Sequence, residues 1–220
     1  MNHLAHFYLS SYSVALMVGN FIADSVKGRR YVQYPPSIAE GILMHRDIDT
    51  YTDTHPLVSQ SKQLVRPTCG RYSSIIVDLY YDHFLAVHWT AYCSISLDAF
   101  AQVVYTVLET HKSLMPERNR RMLEHMKSDD WLTSYATVEG VHLALQRLSY
   151  RMAARPNWQQ AHLPLLLHYG QLQKQFICFF NDLKTYITSI WSARRGEPGW
   201  LPQALDHLIT HNHHKRTIKP

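Results

Sequence analysis

Apolar residues recur at intervals of three and four along most of the chain, the spacing that gathers side chains on one face of an α-helix. Sustained alternation of apolar and polar residues between turn signals is absent, so the pattern predicts an all-α fold. Helices are expected over Ser13–Val26, Ile38–Tyr51, Pro56–Val65, Tyr72–Ala91, Leu97–His111, Glu117–Ser128, Val138–Ala153 and Leu163–Ala193. Punctuation agrees with this division. Ser13 and Ser96 suit N-caps, Pro56 and Pro116 suit a first helical turn, and Gly28 and Gly70 suit helix ends. Trp131, Tyr135, Met152, Trp158, Phe176, Phe179, Phe180 and Trp191 fall at helical spacing and read as core.

At 220 residues the chain is long enough for one sizeable core and short for two. A single helical domain over 1–195 is expected, followed by a basic, His-rich appendage over 196–220 that opens with Gly and Pro. His211, His213 and His214 in that tail read as solvated, because a flexible segment lacks the surrounding groups that orient metal ligands. No run of about 18 apolar residues occurs that would span a membrane, and the opening MNHLAHFYLS lacks the basic flank and long apolar stretch of a secretory signal. A cytoplasmic location is therefore expected. Cys69, Cys93 and Cys178 are odd in number and widely spaced, which gives neither a disulfide framework nor a zinc knuckle. The formal charge of +5 suits an anionic partner, acidic protein and nucleic acid alike.

The chemistry concentrates in the first ninety residues. His45 and Asp49 are four apart and share a helix face. Asp78 and Asp82 repeat that spacing, and His83 follows about 100° further round. Asp78 and Asp82 interrupt a run of Ile75, Ile76, Val77, Leu79, Tyr80, Tyr81, Phe84 and Leu85, and a helix apolar nearly all round is buried. Acids there must be paired, protonated or coordinated, with Arg71 or Arg46 as candidate partners in a salt bridge. Clustered buried carboxylates repel and lose hydration, a conflict that a divalent cation removes. For His45 and Asp49 the alternative is an exposed pair on an amphipathic helix, against which stand the apolar neighbours Ile42, Leu43 and Ile48.

Asp24 has Asn20 one turn before it and Lys27 about one turn after; it either holds that lysine or belongs to the same centre. His6 would lie roughly 27 Å from Asp24 on one straight helix, so the two can share a site only if the chain breaks near Ser10, Ser11 and Ser13. His88 lies off the Asp78/Asp82 face and reads as structural. Asp53 is as suited to capping the helix at Pro56 as to touching a metal. Mixed carboxylate and imidazole ligands favour Mn²⁺, Mg²⁺ or Fe²⁺. Neither a phosphate-binding GxxxxGK[ST] loop nor a Gly-x-Ser-x-Gly elbow is present.

Three segments, GNFIADSVKG (Gly19–Gly28), GILMHRDIDTYTD (Gly41–Asp53) and DLYYDHFLAVHW (Asp78–Trp89), resemble the acyl carrier protein phosphodiesterases, distant relatives of the HD-domain phosphohydrolases. Weaker similarity continues through DDWLTSY (Asp129–Tyr135), MAARP (Met152–Pro156) and the pattern around Leu167–Phe180, to roughly residue 193. The resemblance implies a compact HD-like helical fold. It also implies metal-dependent hydrolysis of the phosphodiester joining 4′-phosphopantetheine to a serine of holo acyl carrier protein. Asp24, His45, Asp49, Asp78, Asp82 and His83 would together hold a divalent metal, Mn²⁺ favoured, and activate water, with His6, Asn20 and His88 as further candidates. The family opening has His at the position of His6, Phe at that of His3 and His at that of Tyr8, which assigns no role to His3. Lys27, Arg29, Arg30 and Arg46, with Arg66 and Arg71, would meet the phosphate or the acidic carrier protein. The alternatives are an HD-like phosphohydrolase of a nucleotide or other small phosphodiester, and a non-catalytic helical protein that binds a carrier protein or nucleic acid.

Overall fold

A computed structural model describes residues 1–151 and 158–195, and among these no strand occurs. The expected appendage over 196–220 and the MAARP segment lie outside the described residues. Among the described residues eleven α-helices follow one another: α1 (His3–Ser10), α2 (Val14–Ile22), α3 (Pro36–Thr54), α4 (Pro56–Cys69), α5 (Ser73–Val87), α6 (Leu97–Thr110), α7 (Glu117–Ser128), α8 (Trp131–Ser134), α9 (Val138–Arg151), α10 (Leu163–Leu167) and α11 (Tyr169–Arg195). None is long and apolar enough to cross a membrane.

Local chemistry sets several boundaries. Pro36 occupies the first turn of α3, where its missing N–H costs nothing. Pro56 does the same for α4 and forces His55 into an extended conformation (ψ 132°), which separates α3 from α4. His55 itself caps α4, its Nδ1 accepting from the Leu57 N–H at 3.3 Å. Asp53, equally a candidate cap or metal contact, instead pairs with Lys62 at 3.0 Å on the surface. Ser96 caps α6 through its hydroxyl at 3.2 Å from the Ala99 N–H. Gly70 ends α4 at φ 56°, a conformation that favours glycine. The helix expected over Leu163–Ala193 is two: His168 leaves helical geometry at φ −114°, and its carbonyl accepts from Gln171 and Leu172 to start α11.

The core is continuous, and α5 and α11 supply its aromatic centre. Tyr80, Tyr81, Phe84, Phe176, Phe179 and Phe180 are all inaccessible, and burying each such ring stabilises the fold by about 1.5–3 kcal/mol. Phe176 and Phe180 stack at 5.2 Å, and Tyr81 meets Phe179 at 5.3 Å. The buried hydroxyl of Ser61 joins α4 to both helices, lying 2.8 Å from Tyr81 Oη and donating to Gln175 Oε1 at 2.6 Å. Trp131, Tyr135, Trp158 and Trp191 are buried as their spacing predicts.

Two features position the candidate site residues. First, α1 and α2 are separated by a corner at Ser11–Ser13. Ser10 Oγ donates to His6 O at 2.7 Å and Ser11 Oγ to Tyr8 O at 2.8 Å, which satisfies carbonyls at the end of α1 while the chain turns. Second, α2 and α3 approach at backbone distance through Gly19 and Gly41. A Cβ on Gly19 would stand 2.1 Å from Ile38 O, and one on Gly41 would stand 2.4 Å from Leu16 O, so neither position has room for a side chain.

Candidate active site

The glycine contact brings α2 and α3 together one residue from Asn20 and four from His45. Asn20 Nδ2 donates to His6 O at 3.5 Å, so its Oδ1 faces His45 Nδ1 at 2.9 Å. An amide oxygen only accepts, hence His45 Nδ1 carries a hydrogen and Nε2 points the other way. There it stands 3.0 Å from Asp49 Oδ2, one helical turn along α3, and 3.5 Å from Asp24 Oδ1, in the 3₁₀ turn after α2. From α1, His6 Nε2 reaches Asp49 Oδ1 at 3.1 Å, and its ring stacks on His45 with centroids 4.1 Å apart. Three segments thus aim two imidazoles and two carboxylates at one point.

The electrostatics of this group are tightly opposed. Burial pushes the His6 imidazolium down to about 4, with neighbouring His45 adding to the effect and Asp49 opposing it. Burial also disfavours charge on His45, but its hydrogen bonds to Asp24 and Asp49 outweigh that and lift it to about 9. The bond from His45 holds Asp24 down to about 2, despite the desolvation. Asp49 is held well below the carboxylate range because both imidazoles outweigh its burial. His45 Nε2 thus lies between the carboxylates of Asp24 and Asp49, which favour its charged form.

The same donors suit a divalent cation. Ligand atoms of His6, His45 and Asp49 all lie within 4.8 Å of one another, and ligands about 2.0–2.6 Å from one ion stand roughly 3–4 Å apart. The Asn20–His45 hydrogen bond is the kind of outer contact that fixes the tautomer and orientation of a ligating imidazole. These residues open onto a cavity of about 220 Å³ whose lining includes His6, Asp24, His45 and Asp78, and whose apolar part includes Ile75, Leu79, Met122, Trp131, Ala144 and Leu148. The group that could hold a metal thus borders a cavity lined by both polar and apolar side chains.

Comparison with known proteins agrees. The sequence model of the family described as acyl carrier protein phosphodiesterase matches residues 1–183. A Yersinia pestis protein named acyl carrier protein phosphodiesterase is 32% identical over 184 residues, 83% of this chain and 95% of its own length. Its namesake from Salmonella agona (strain SL483) is 32% identical over 181 residues, covering 82% and 94%. The chain belongs to the acyl carrier protein phosphodiesterase family. No solved structure matches it significantly.

Within this family member, the residues expected on α5 are engaged differently from those on α3. Asp78 lines the cavity and sits 3.2 Å from the Met1 ammonium, which is also 3.6 Å from Asp49 Oδ1. Burial raises the Asp78 carboxyl above its usual range, and the ammonium opposes the rise. Asp82, fully buried, accepts from the Leu4 N–H at 2.7 Å through Oδ2 and from the Ala5 N–H at 3.1 Å through Oδ1. It therefore satisfies the first free amides of α1. His83 has its Nδ1 at 2.8 Å from Tyr135 O and its Nε2 at 3.1 Å from Tyr169 Oη, so both ring nitrogens are occupied away from His45. His88 ends α5 and meets the side-chain amide of Gln173.

The basic residues also divide. Lys27, Arg29 and Arg30 are exposed just beyond Asp24. Arg46 is occupied: its Nη2 donates to Val26 O at 2.8 Å, and its guanidinium lies 5.4 Å from the Tyr31 ring centroid. It braces the basic segment against α3. Arg71 donates to Tyr72 Oη at 2.8 Å, and neither arginine pairs with Asp78 or Asp82. His3, with no expected role, lines the cavity and packs near Phe7, Phe21 and Trp131.

Proposed function

We propose that this protein hydrolyses the phosphodiester between 4′-phosphopantetheine and a serine of holo acyl carrier protein, releasing apo-carrier protein and 4′-phosphopantetheine. The observation that carries the reading is the convergence of His6, His45 and Asp49, with Asp24 beside them, at a cavity in a chain of this family. His6, His45 and Asp49 would hold a divalent cation, Mn²⁺ favoured over Mg²⁺ or Fe²⁺. When present, such an ion lowers the pKa of water and neutralises charge on phosphoryl oxygens.

The side chains supply the rest. Asn20 keeps the His45 Nε2 lone pair directed at the centre. Asp24, with a side chain 68% exposed, is the carboxylate of the group open to solvent, and its Oδ1 accepts a hydrogen bond from the attacking water. The water oxygen bonds to phosphorus as the bond from phosphorus to the serine oxygen breaks; one water hydrogen stays on the new phosphomonoester and the other is passed through solvent to the serine oxygen, which leaves as its hydroxyl. Lys27, Arg29 and Arg30 form a charged rim that steers an acidic carrier protein toward Asp24.

Incubating the purified protein with holo-carrier protein and weighing the product tests this directly. Loss of the phosphopantetheine mass, abolished by chelation and restored by Mn²⁺, is the expected result. Full turnover by protein shown to contain no metal would refute the metal assignment, and an unchanged carrier mass with metal-loaded protein would refute the reaction.

A further inference from the structure

The first turn of α7 reaches the same cavity through Arg118 and Asn119. Asn119 is buried, and its Nδ2 donates to Phe21 O across 98 residues of sequence at 2.9 Å. That bond ties the start of α7 to α2, three residues before Asp24. The neighbouring charges are turned elsewhere: Glu117 faces Arg121 at 3.4 Å and Arg120 at 3.9 Å, while Arg120 Nε donates to Met115 O at 2.9 Å. Two guanidinium groups line the cavity. Arg147 lies 3.4 Å from Asp129 Oδ2, whereas Arg118 is exposed and has no hydrogen bond or ion pair with any described residue.

Among the described residues that line this cavity, an anion meets carboxylates at Asp24 and Asp78 and one unengaged cation, Arg118. A planar guanidinium matches phosphate oxygens with paired donors. The same lining includes the apolar side chains of Met122 one turn further along α7, Trp131 on α8 and Leu148 on α9. The pantetheine arm has the complementary order of chemistry, a phosphate followed, one methylene further on, by a carbon bearing two methyl groups.

We propose that α7, α8 and α9 form the subsite for the phosphopantetheine half of the substrate, with Arg118 holding its phosphate and Met122, Trp131 and Leu148 covering the chain beyond. This rests on the phosphodiesterase reading for the identity of the arm. It makes Arg118, 64 residues beyond the last helix of the His/Asp group, a substrate-binding residue.

Calorimetric titration of the full chain with 4′-phosphopantetheine, and separately with pantetheine lacking the phosphate, tests the assignment. Arg118→Ala should weaken phosphopantetheine binding by about tenfold to a hundredfold, the worth of a charged hydrogen bond, and leave pantetheine binding within about twofold of wild type. Arg118→Lys should recover part of the loss. Leu148→Asp should weaken both ligands. Equal loss of both ligands in Arg118→Ala, or no loss in either variant, would overturn the subsite. Turnover of holo-carrier protein by the wild type, measured in parallel, separates the two ideas. Turnover without the phosphate-dependent Arg118 effect defeats the subsite alone, and that effect without turnover defeats the reaction alone.

Discussion

Helices α3 and α5 carry the same device, ionisable side chains four residues apart, and the fold uses it in opposite ways. On α3, His45 and Asp49 face His6 of α1 and Asn20 of α2, and the Gly19–Gly41 contact holds α2 against α3 at backbone distance. Their polar atoms meet other polar side chains at one centre. On α5, Asp82 faces the N-terminus of α1, whose amides take both of its oxygens, and Asp78 meets the terminal ammonium. Spacing along a helix decides which side chains share a face. What the facing element presents decides whether they become a site or a cap.

The sharpest way to break this contrast is to remove single residues from the two helices. His45→Ala and Asp49→Ala should lower turnover of holo-carrier protein by at least about 100-fold, the lower end of what a positioned proton-transfer or ligating group contributes, and should lose bound metal. His83→Ala should keep its metal, because both ring nitrogens are engaged with Tyr135 and Tyr169. Metal analysis by mass spectrometry on the three variants decides between them. Metal lost from His83→Ala and kept in His45→Ala would invert the comparison.

Next in size is Asp82→Ala, which leaves two buried amide donors of α1 unsatisfied. Each such group costs about 1–3 kcal/mol, so urea unfolding should show a loss of roughly 2–4 kcal/mol. Metal should still bind well below the unfolding transition. A variant with unchanged stability and no metal would make Asp82 a ligand rather than the cap of α1.

Asn20→Ala sharpens the α3 side. It removes the acceptor that orients His45, and loss of such an outer contact costs about 10–100-fold in metal affinity. A titration with Mn²⁺ that is unchanged in this variant would show that stacking on His6 alone holds the ring.

What the sequence shows and hides follows from the same physics. Amphipathic helices such as α7 announce themselves, and its observed span is the expected one, Glu117–Ser128. Helix α1 does not, because Leu4 through Ser10 are all buried and a helix enclosed on every side has no contrasting face to produce a period. Helix α8, four residues long, is too short for any period to show. His45 and Asp49 are legible because their spacing is local. The place of His6 depends on a corner after Ser10, and the roles of Asp82 and His83 depend on partners 78, 77 and 52 residues away. No local spacing encodes those partners. Arg118 is the extreme case, an ordinary helical arginine until the Asn119–Phe21 bond places it at the cavity.

The smallest effect isolates the charge on α5. Burial lifts the Asp82 carboxyl to about 7, opposed by the Leu4 and Ala5 amides and the Met1 ammonium, with Asp78 adding to the rise. The folded protein therefore keeps a proton that the unfolded chain releases near 3.8. Stability from this group is whole below that pH and is lost as pH rises toward 7. Asp82→Asn keeps an oxygen acceptor for one amide and cannot ionise. Titrations elsewhere largely cancel between the two proteins, leaving Asp82 and its coupling to Asp78 and the ammonium. The melting temperature of wild type relative to Asp82→Asn should fall between pH 4 and pH 7 and stay level above that. A difference that holds constant from pH 4 to pH 8 would mean that the two amides keep Asp82 ionised throughout, and the carboxylates of α3 and α5 would then differ in partner but not in charge.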